Sequence, residues 1–557
     1  MLRKSLALFL VFVLAMVAFT GCGSKPAEPA SEEPAATEDQ GTEEASTDAA
    51  EEKVLVFNLF SEPKTIDPQL NSATDGGHVI SNTFAGLMRT VNGELQPELA
   101  ESYEVSEDGL VYTFHLKDTL WSDGQPLVAG DFEYAWKRAL DPLTASEYAF
   151  QLFYIKGGQE FFNGEGSADD VAVKALDEKT LQVELIAPTP YFLNLTSFYT
   201  LMPTRKDAVE QVADGRWAID PEVTISNGPF KLVEYKSGDK MILAKNENYW
   251  NADAVKLDKI VATMIVDRST ALTAYEAGEV DVIDDMPTTE IPRLLAEDPT
   301  FQIMPYLGTY YYYFNISKEP FDNEDVRRAL SLAIDRNAIV TTVSKGGQQP
   351  ATGFVPAGLT DADGKDFRAT NGDFGIDPMK ASVEEAKELL AKAGYPNGEG
   401  FPKFELLYNT SEGHKAIAEA IQEMWKKNLG LEVSLANQDW AVFQDSRHNG
   451  SFDMARGGWI GDYSDPMTFL DLFTSYSGSN DTQWKSEDYD ALIEESKMKS
   501  GHDRFEVLYA AEKMLMEDMK VMPIYYYTNP IMVKEHVKGW SLDILGKWYF
   551  GNVDIVK

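Results

Sequence analysis

The chain has 557 residues, of which 90 are Asp or Glu and 49 are Lys or Arg, so its formal net charge is −41. A surface of this sign repels nucleic acid and anionic membranes, which excludes a general polyanion-binding role and favours cationic or neutral partners. The length predicts about three to four domain-sized units. Because the only cysteine is Cys22, an intramolecular disulfide is excluded.

The first 21 residues are typical of a secretion signal. Basic residues precede an apolar run at 6–19, which is too short for a comfortable transmembrane helix. The run ends in Ala-Phe-Thr-Gly-Cys, which looks like a bacterial lipoprotein cleavage box, so we expect Cys22 to become the lipidated first residue. The lipid would anchor an extracytoplasmic protein to the outer face of the cytoplasmic membrane or within the periplasm.

Residues 22–53 are predicted to be a disordered acidic tether. This stretch consists mainly of Ala, Glu, Pro, Ser, Thr and Asp, and it has no aromatic residue and no long aliphatic one. Such a segment buries too little apolar surface to fold, and its repelling acids keep it extended. We therefore expect it to hold the folded body away from the lipid.

The folded body is predicted to begin with a strand at 54–60, where an apolar run precedes two proline turns. Strands at 103–105 and 111–116 are predicted to form a hairpin, because Ser-Glu-Asp-Gly joins them and the second alternates in polarity. A helix is predicted at 129–140. A second helix is predicted after Asp322, which we expect to be its N-cap.

The region at 384–435 alternates between helical and strand patterns. Helices are predicted at 386–393 and 415–428, and strands at 404–408 and 431–435. This order is typical of a parallel α/β unit, whose ligands bind beyond the carboxyl ends of the strands. Residues 408–414 lie at such an end.

The segment 452–470 contains the candidate binding residues. Arg456, Trp459 and Asp462 lie within seven positions of a glycine-rich segment that we predict to be a turn. A carboxylate in a water-poor cleft is costly unless a cation answers it, and a primary ammonium is a natural partner. Arg456 offers a planar fork of donors to a carboxylate. The pattern indicates a site for both ends of a small zwitterion.

This segment closely resembles the corresponding stretch of the bacterial oligopeptide-binding proteins, the extracytoplasmic receptors of peptide ABC importers. Further similarity lies in 99–138, in Asn-Gly-Pro-Phe at 227–230, in Asn-Glu-Asn-Tyr-Trp at 246–250 and in 320–330. The resemblance implies an α/β fold of the type II periplasmic-binding-protein class, with two lobes, a hinge and an additional inserted domain. It also implies that residues 54–85, 204–307 and 526–557 form lobe I, residues 86–203 the inserted domain, and residues 308–525 lobe II.

The resemblance also implies a function and a set of ligand contacts. The protein is expected to be a monomer that captures oligopeptides and delivers them to a permease with ATPase subunits, without catalysis, cofactor, metal or nucleic acid. Asp462 is expected to receive the peptide ammonium, whereas Arg456 and His414 meet the carboxylate. The remaining expected contacts are Arg447, Gly458, Trp459 and, from the inserted domain, Tyr148.

Each of these residues also has an ordinary structural interpretation. Asp462 alone could be a surface or helix-capping carboxylate, and Arg456 could pair with Asp453 or Asp465. His414 could simply be exposed, and both Tyr148 and Trp459 could be packing residues. The tyrosines at 310–313 should alternate between two faces and are expected to serve packing.

Two departures from the family pattern concern ligand length. Enteric oligopeptide-binding proteins have a cysteine pair at the positions of Gly308 and Ile460, and a lysine that serves short peptides aligns with Ser344. This chain has none of the three at these positions, although Lys345 is adjacent to Ser344, so a preference for very short peptides is not expected from the resemblance.

Other functions remain open at the level of sequence. Asp281, Asp284 and Asp285 could in principle serve an enzyme, but no metalloprotease motif, nucleophile elbow or phosphate loop accompanies them. Relatives with this fold bind dipeptides, cell-wall peptides, nickel chelates, haem, glutathione or sugars, and a peptide-signal receptor would use the same pocket. An uncharged sugar requires neither Arg456 nor Asp462.

Overall fold

The computed structural model describes residues 51–212 and 216–556 of the chain. The predicted signal peptide, the predicted lipid site at Cys22 and most of the predicted tether therefore lie outside the described residues. No helix within the two described ranges combines the length and the apolar composition that a membrane span requires.

The strands range from two residues to a pair of long central ones. In chain order they are β1 Val54–Asn58, β2 Met88–Val91, β3 Glu94–Pro97, β4 Ala100–Val105, β5 Val111–Leu116, β6 Val173–Ala175, β7 Thr180–Glu184, β8 Phe230–Lys236, β9 Lys240–Lys245, β10 Lys259–Thr263, β11 Val282–Ile283, β12 Phe301–Phe314, β13 Gln349–Pro350, β14 Phe404–Asn409, β15 Val433–Gln438, β16 Met454–Ile460, β17 Val521–Val533, β18 Val537–Lys538, β19 Ser541–Leu542, β20 Trp548–Tyr549 and β21 Asp554–Ile555.

The helices are α1 Thr74–Thr83, α2 Ala129–Leu140, α3 Gly158–Phe162, α4 Phe192–Leu195, α5 Lys206–Glu210, α6 Arg268–Ala277, α7 Ile291–Glu297, α8 Glu324–Leu332, α9 Arg336–Ala338, α10 Phe367–Asn371, α11 Val383–Lys392, α12 Glu412–Leu429, α13 Trp440–His448, α14 Met467–Leu470, α15 Glu487–Lys497 and α16 Gly501–Glu517. A π-helical segment spans Ile339–Ser344. Short 3-10 turns occupy Ala149–Leu152, Tyr199–Leu201, Arg216–Ala218, Ala252–Ala254, Pro396–Gly398 and Asp471–Phe473.

One mixed sheet organises the described body. Its strand order is β15-β14-β16-β12-β17-β11-β1-β10-β9-β8, with β13 paired beside β17. The two long strands β12 and β17 run antiparallel at its centre, and their register is interrupted between Pro305 and Thr309. Beyond that interruption β12 pairs with β16, whereas the far end of β17 pairs with β11. Both central strands therefore pass from one half of the sheet into the other.

A separate four-stranded sheet has the order β4-β5-β7-β6. The predicted hairpin is confirmed as β4 and β5, which pair antiparallel. The predicted helix at 129–140 is confirmed as α2, and Phe132 and Trp136 on its inner face are fully buried. The side chain of Asp131 in its first turn accepts the backbone N–H of Val128 at 3.0 Å, which satisfies a donor at the helix start.

The predicted parallel α/β unit is also present. Strand β14 pairs in parallel with β15 and β16, and α12 connects β14 to β15. Helix α12 begins earlier than predicted because Ser411 is its N-cap, and it ends at Gly430 in the left-handed region. The prediction of Asp322 as an N-cap is wrong: α8 starts one residue later, and the side chain of Asn323 accepts the N–H of Asp325 at 2.9 Å.

Candidate functional site

A cavity of about 370 Å³ lies beside the central strands β12, β16 and β17. This volume falls within the usual range for ligand sites in proteins, roughly 300–1,000 Å³. Its wall includes every residue that the sequence predicts as a ligand contact, namely Tyr148, His414, Arg447, Arg456, Gly458, Trp459 and Asp462. The fold brings the predicted residues together, and their contact with a ligand stays a prediction.

The prediction of a turn around Arg456 is wrong, because this residue lies inside strand β16. Arg456 is opposite Tyr312, and Gly458 is opposite Tyr310, in the antiparallel pairing with β12. Gly308 and Ile460 are also direct cross-strand neighbours. The predicted alternation of the tyrosines is consistent with their ring contacts, which join Tyr310 to Tyr312.

The glycine at 458 provides space rather than a bend. A Cβ atom built there would lie 2.5 Å from the Tyr527 hydroxyl and 2.8 Å from Arg456 Nη2, both closer than packing allows. The absence of a side chain therefore lets the arginine and the tyrosine meet above the strand.

Arg456 has no carboxylate within ion-pair distance among the described residues. Its Nη2 donates to Tyr527 Oη at 2.6 Å, and its guanidinium lies 4.8 Å from the ring centroid of Tyr310. Nε is buried without a hydrogen-bond partner in the described chain. Burial lowers the pKa of Arg456, but Tyr527 and Tyr310 raise it, and together the shifts leave the pKa above its ordinary value. The guanidinium therefore stays cationic.

The alternative ion pairs proposed for Arg456 are both wrong. Asp453 lies 3.2 Å from Lys318 Nζ, and Asp465 accepts two hydrogen bonds from Arg504 at 2.6 and 2.9 Å. Because both carboxylates are already paired, they do not neutralise Arg456. Arg456 therefore lines the cavity as a cation without a carboxylate at ion-pair distance among the described residues.

His414 lies in the first turn of α12, at the carboxyl end of β14, as the α/β pattern predicts. Its Nδ1 is 3.3 Å from Tyr310 Oη. Burial and the nearby charges of Arg456 and Arg268 hold the pKa of His414 well below its ordinary value of 6.5. The half-buried imidazole is therefore neutral, and the interpretation of His414 as an exposed residue is wrong.

Asp462 lies at the other end of this wall and is only 7% exposed. Gln151 Nε2 donates to its Oδ2 at 2.7 Å, and Tyr148 Oη lies 3.3 Å from its Oδ1. Burial raises the pKa of Asp462 to about 7, although Lys547 and these hydrogen bonds oppose the shift. The carboxylate is therefore neither a surface group nor a helix cap. It is a desolvated acid that a cation would stabilise.

Two aromatic side chains adjoin Asp462. The rings of Tyr148 and Trp459 are 6.0 Å apart, and Trp459 Nε1 donates to the backbone oxygen of Thr468 at 2.6 Å. Tyr148 also contacts Phe198, at 5.0 Å between ring centroids. Tyr148 and Trp459 therefore combine the two roles that the sequence left open, since both line the cavity and both pack against neighbours.

Arg447 differs from Arg456 although both line the cavity. Arg447 forms an ion pair with the buried Asp481, and its guanidinium lies 5.5 Å from the ring centroid of Tyr313. Its charge is therefore answered within the chain. We conclude that Arg447 shapes the wall more than it offers a charge to a ligand.

Sequence reasoning missed several residues of the site. These are Tyr525 and Tyr527 on the cavity wall, Gln151, which donates to Asp462, and Lys547, whose Nζ donates to the backbone oxygen of Asp462 at 3.1 Å. The sequence Tyr-Tyr-Tyr at 525–527 could have indicated Tyr525 and Tyr527, because alternation along a strand places the first and third tyrosines on the same face. Gln151 and Lys547 had no local signal. Within the described ranges, no group of three or more His, Cys, Asp or Glu residues is arranged to hold a metal ion.

Comparisons with known proteins indicate one protein family. The sequence model of the bacterial extracellular solute-binding proteins, family 5 Middle, matches residues 94–481. The chain is 40% identical over 516 residues to the oligopeptide-binding protein OppA of Bacillus subtilis (strain 168), and the alignment covers 91% of this chain and 93% of the relative.

Solved structures give the same result for the fold. Haemophilus influenzae OppA in complex with RPPGFSPFR has a TM-score of 0.85 at 33% identity, covering 91% of this chain and 99% of that chain. The Escherichia coli murein tripeptide binding protein MppA gives 0.84 at 35% identity, with coverage of 91% and 99%. The unliganded open form of MppA gives only 0.61 at 35% identity, with coverage of 91% and 98%. The predicted two-lobed α/β fold is confirmed.

Proposed function

The chain belongs to family 5 of the bacterial extracellular solute-binding proteins, and we propose that it is the oligopeptide receptor of an ABC importer. The observation that carries the proposal is a pair of opposite charges in one cavity. Arg456 has no carboxylate partner among the described residues, and burial raises the pKa of the Asp462 carboxyl to about 7. A ligand with an ammonium at one end and a carboxylate at the other would answer both.

The spacing of the two charges suits an extended peptide. Arg456 and Asp462 are six residues apart along a strand and its continuation, which corresponds to at most about 20 Å at roughly 3.3 Å per residue. A peptide of about four to six residues in extended form spans a similar distance. Main-chain hydrogen bonds to the neighbouring strand segments would add affinity without regard to side-chain identity.

The Arg456 end of the cavity also suits a peptide carboxylate. His414 is neutral, and its tautomer can donate one hydrogen bond to a carboxylate oxygen. The guanidinium keeps donors available beyond the one that reaches Tyr527, and its stacking on Tyr310 fixes the plane of the fork. An uncharged sugar would leave both Arg456 and Asp462 without a charged partner.

The lobes are proposed to close over the ligand by rotation at the crossing strands. In this proposal residues 54–85, 204–307 and 526–557 form lobe I, residues 86–203 the inserted domain, and residues 308–525 lobe II. The register interruption between Pro305 and Thr309 supports a hinge close to the proposed lobe boundary. The closed form would be the one that the permease recognises.

The location and the partners are part of the same proposal. We expect Cys22 to carry a lipid that holds the receptor at the outer face of the membrane, and a permease with ATPase subunits to accept the peptide. These partners follow from the importer role. The receptor itself is expected to bind without catalysing a reaction.

The first experiment is thermal unfolding of the purified protein with different ligands. Peptides of about two to eight residues, simple sugars and Ni²⁺ are compared, and a true ligand at 100 times its dissociation constant should stabilise the fold by about 2.7 kcal/mol. We expect stabilisation by peptides alone, with the largest effect for about four to six residues.

The same assay separates peptide recognition from its alternatives. Matched pentapeptides with an acetylated amino terminus or an amidated carboxyl terminus should each stabilise less than the unmodified peptide. Stabilisation by a sugar or Ni²⁺ without any effect of peptides would refute the oligopeptide proposal and leave only the fold assignment. Equal effects of modified and unmodified peptides would refute the assignment of Asp462 and Arg456.

A further inference from the structure

Asp284 is another carboxylate on the wall of the cavity that contains Asp462. It directly follows β11, which pairs in parallel with β1 through Phe57 and Val282. Residues at the carboxyl end of a parallel strand face the crevice in open α/β sheets. The position accords with this rule, because Asp284 lines the same cavity as Arg456.

No cation answers the Asp284 carboxylate among the described residues. One hydrogen bond reaches its side chain from another residue, from Trp548 Nε1 to Oδ2 at 2.9 Å. The one basic group within ion-pair distance in the described chain is His78, whose Nε2 lies 3.9 Å from Oδ2. Burial lowers the pKa of His78 to about 4, so this imidazole is neutral and supplies no charge.

The neighbouring charged groups have other partners. Asp285 accepts a hydrogen bond from Arg268 Nε at 2.6 Å. Lys547, the lysine on this wall, donates to the backbone oxygen of Asp462. Burial lowers the pKa of Lys547, and the carboxylates that oppose this shift are Asp543 and Asp462. The Asp284 carboxylate therefore has one side-chain hydrogen bond, from the Trp548 indole. Burial raises the pKa of Asp284 to about 7.

The location of Asp284 along the cavity follows from Tyr306. Among the charges that act on the Tyr306 hydroxyl are those of Asp284 and Arg456. The Tyr306 ring also lies 5.7 Å from the ring of Tyr527, the hydrogen-bond partner of Arg456. The charge of Arg456 also lowers the pKa of Asp285, which directly follows Asp284 in the chain, although burial is the larger effect on that carboxyl and raises its pKa. Asp284 therefore lies nearer the Arg456 end of the cavity.

We infer that Asp284, between Trp548 and Tyr306, is a subsite for a cationic side chain, Lys or Arg, in the carboxyl-terminal half of a bound peptide. The inference rests on the proposed peptide function and adds a side-chain preference to it. The aliphatic stem of the ligand residue would pack on the aromatic side chains, and its cationic head would meet the carboxylate. A peptide that lacks this cation leaves a desolvated acid unpaired.

The test compares three pentapeptides by isothermal titration calorimetry. The first has lysine at the fourth position of an alanine chain, the second has acetyl-lysine there, and the third has alanine. We expect the wild-type protein to bind the lysine peptide about tenfold more tightly than the acetyl-lysine peptide. In Asp284→Asn this ratio should fall to nearly one, because the amide has no charge.

A matched variant and a position scan control for general electrostatics. The side chain of Asp118 is fully exposed and does not line the cavity, so Asp118→Asn removes one negative charge without changing the wall and should keep the tenfold ratio. Moving the lysine along the peptide should reduce the ratio at the first two positions. A ratio that is the same at every position, or that survives in Asp284→Asn, would overturn the subsite.

One further measurement and one replacement variant keep the outcomes distinct. Thermal unfolding without peptide shows whether Asp284→Asn is folded, and the ratio of the two affinities is interpreted only for a folded variant. If Asp284→Asn does not fold, Asp284→Glu replaces it. The longer side chain should shift the peptide position at which lysine is most strongly preferred. Failure of all three peptides to bind the wild-type protein would refute the proposed function and the subsite together. Binding of all three with equal affinity would refute the subsite alone.

Discussion

The two ends of the cavity are built in different ways. Around Asp462, the contacts come from distant parts of the chain: Gln151 and Tyr148 reach its carboxylate, Lys547 reaches its backbone oxygen, and Thr468 accepts its N–H at 3.0 Å. Around Arg456, by contrast, the contacts come largely from neighbouring strands of one sheet.

The strand neighbours of Arg456 are fixed by main-chain pairing. Tyr310 on β12 lies under the guanidinium, and Tyr527 on β17 accepts its hydrogen bond. Tyr310 also stacks on Tyr525, with ring centroids 4.7 Å apart. The cationic end is therefore preformed by the sheet, whereas the anionic end depends on separate segments meeting. We expect substitutions at the two ends to affect closure and affinity differently.

The largest expected effect is that of Asp462→Ala. A buried charged contact with the peptide ammonium should contribute on the order of 3 kcal/mol, so affinity for an unmodified pentapeptide should fall about 100-fold. Calorimetry measures this loss. The matched control is the amino-acetylated peptide, which lacks the ammonium and should lose much less from the same substitution. An equal loss for both peptides would show that Asp462 acts through the assembly of the fold instead.

The pH dependence of peptide affinity should also report on the Asp462 end of the cavity. Because burial raises the pKa of unliganded Asp462 to about 7, an incoming ammonium must displace a proton at lower pH. Affinity for an all-alanine pentapeptide should therefore fall by up to tenfold per pH unit below 7, or about 100-fold at pH 5. It should also fall above about pH 8, where the free peptide amine loses its proton.

A variant sharpens this measurement. Asp462→Asn cannot bind the proton, so its affinity should be nearly constant between pH 5 and 7. His414 does not interfere, since burial and nearby arginines keep its pKa well below 6.5 and the ring stays neutral. A steep profile that persists in Asp462→Asn would assign the proton to another group.

Local patterns predicted the parts of the molecule that local physics decides. The strand pair β4 and β5 and the helix Ala129–Leu140 follow from alternation and helical spacing, and the structure has them at those positions. The parallel unit around β14 and α12 also follows from its pattern. The predicted starts of α12 and α8 were less accurate, because the capping side chains Ser411 and Asn323 decide where these two helices begin.

Site residues were predictable where they lie in segments that resemble the family. They were not predictable where only the tertiary structure brings them to the cavity. The resemblance indicated Arg456 and Asp462, and the fold brings both to one cavity. The glycines beside Arg456 were wrongly predicted to form a turn, because local sequence does not show that tyrosines from the neighbouring strands β12 and β17 occupy the space that their side chains would fill. Gln151 could not be predicted, since it is 311 positions from its partner Asp462.

An intermediate effect is expected from Gly458→Ala, which tests whether the cationic end is truly preformed. The added methyl group would overlap Tyr527 Oη and Arg456 Nη2, so one of them must move. We expect peptide affinity to fall by about 1–3 kcal/mol, as for other overpacking substitutions. Calorimetry with carboxyl-amidated and unmodified peptides measures it, and the loss should be greater for the unmodified peptide.

The smallest expected effect is that of Tyr527→Phe, which removes one hydrogen bond from Arg456 and leaves the ring in place. The loss should be about 1 kcal/mol in peptide binding, because the guanidinium keeps its stacking on Tyr310 and can turn toward the ligand. The matched control is Tyr526→Phe on the same strand, whose hydroxyl donates to the backbone oxygen of Gly353 at 3.1 Å instead. That control should lower thermal stability and leave affinity nearly unchanged. If Tyr527→Phe reduced affinity as strongly as Asp462→Ala, the cationic end would depend on one side-chain contact, and the sheet alone would not preform it.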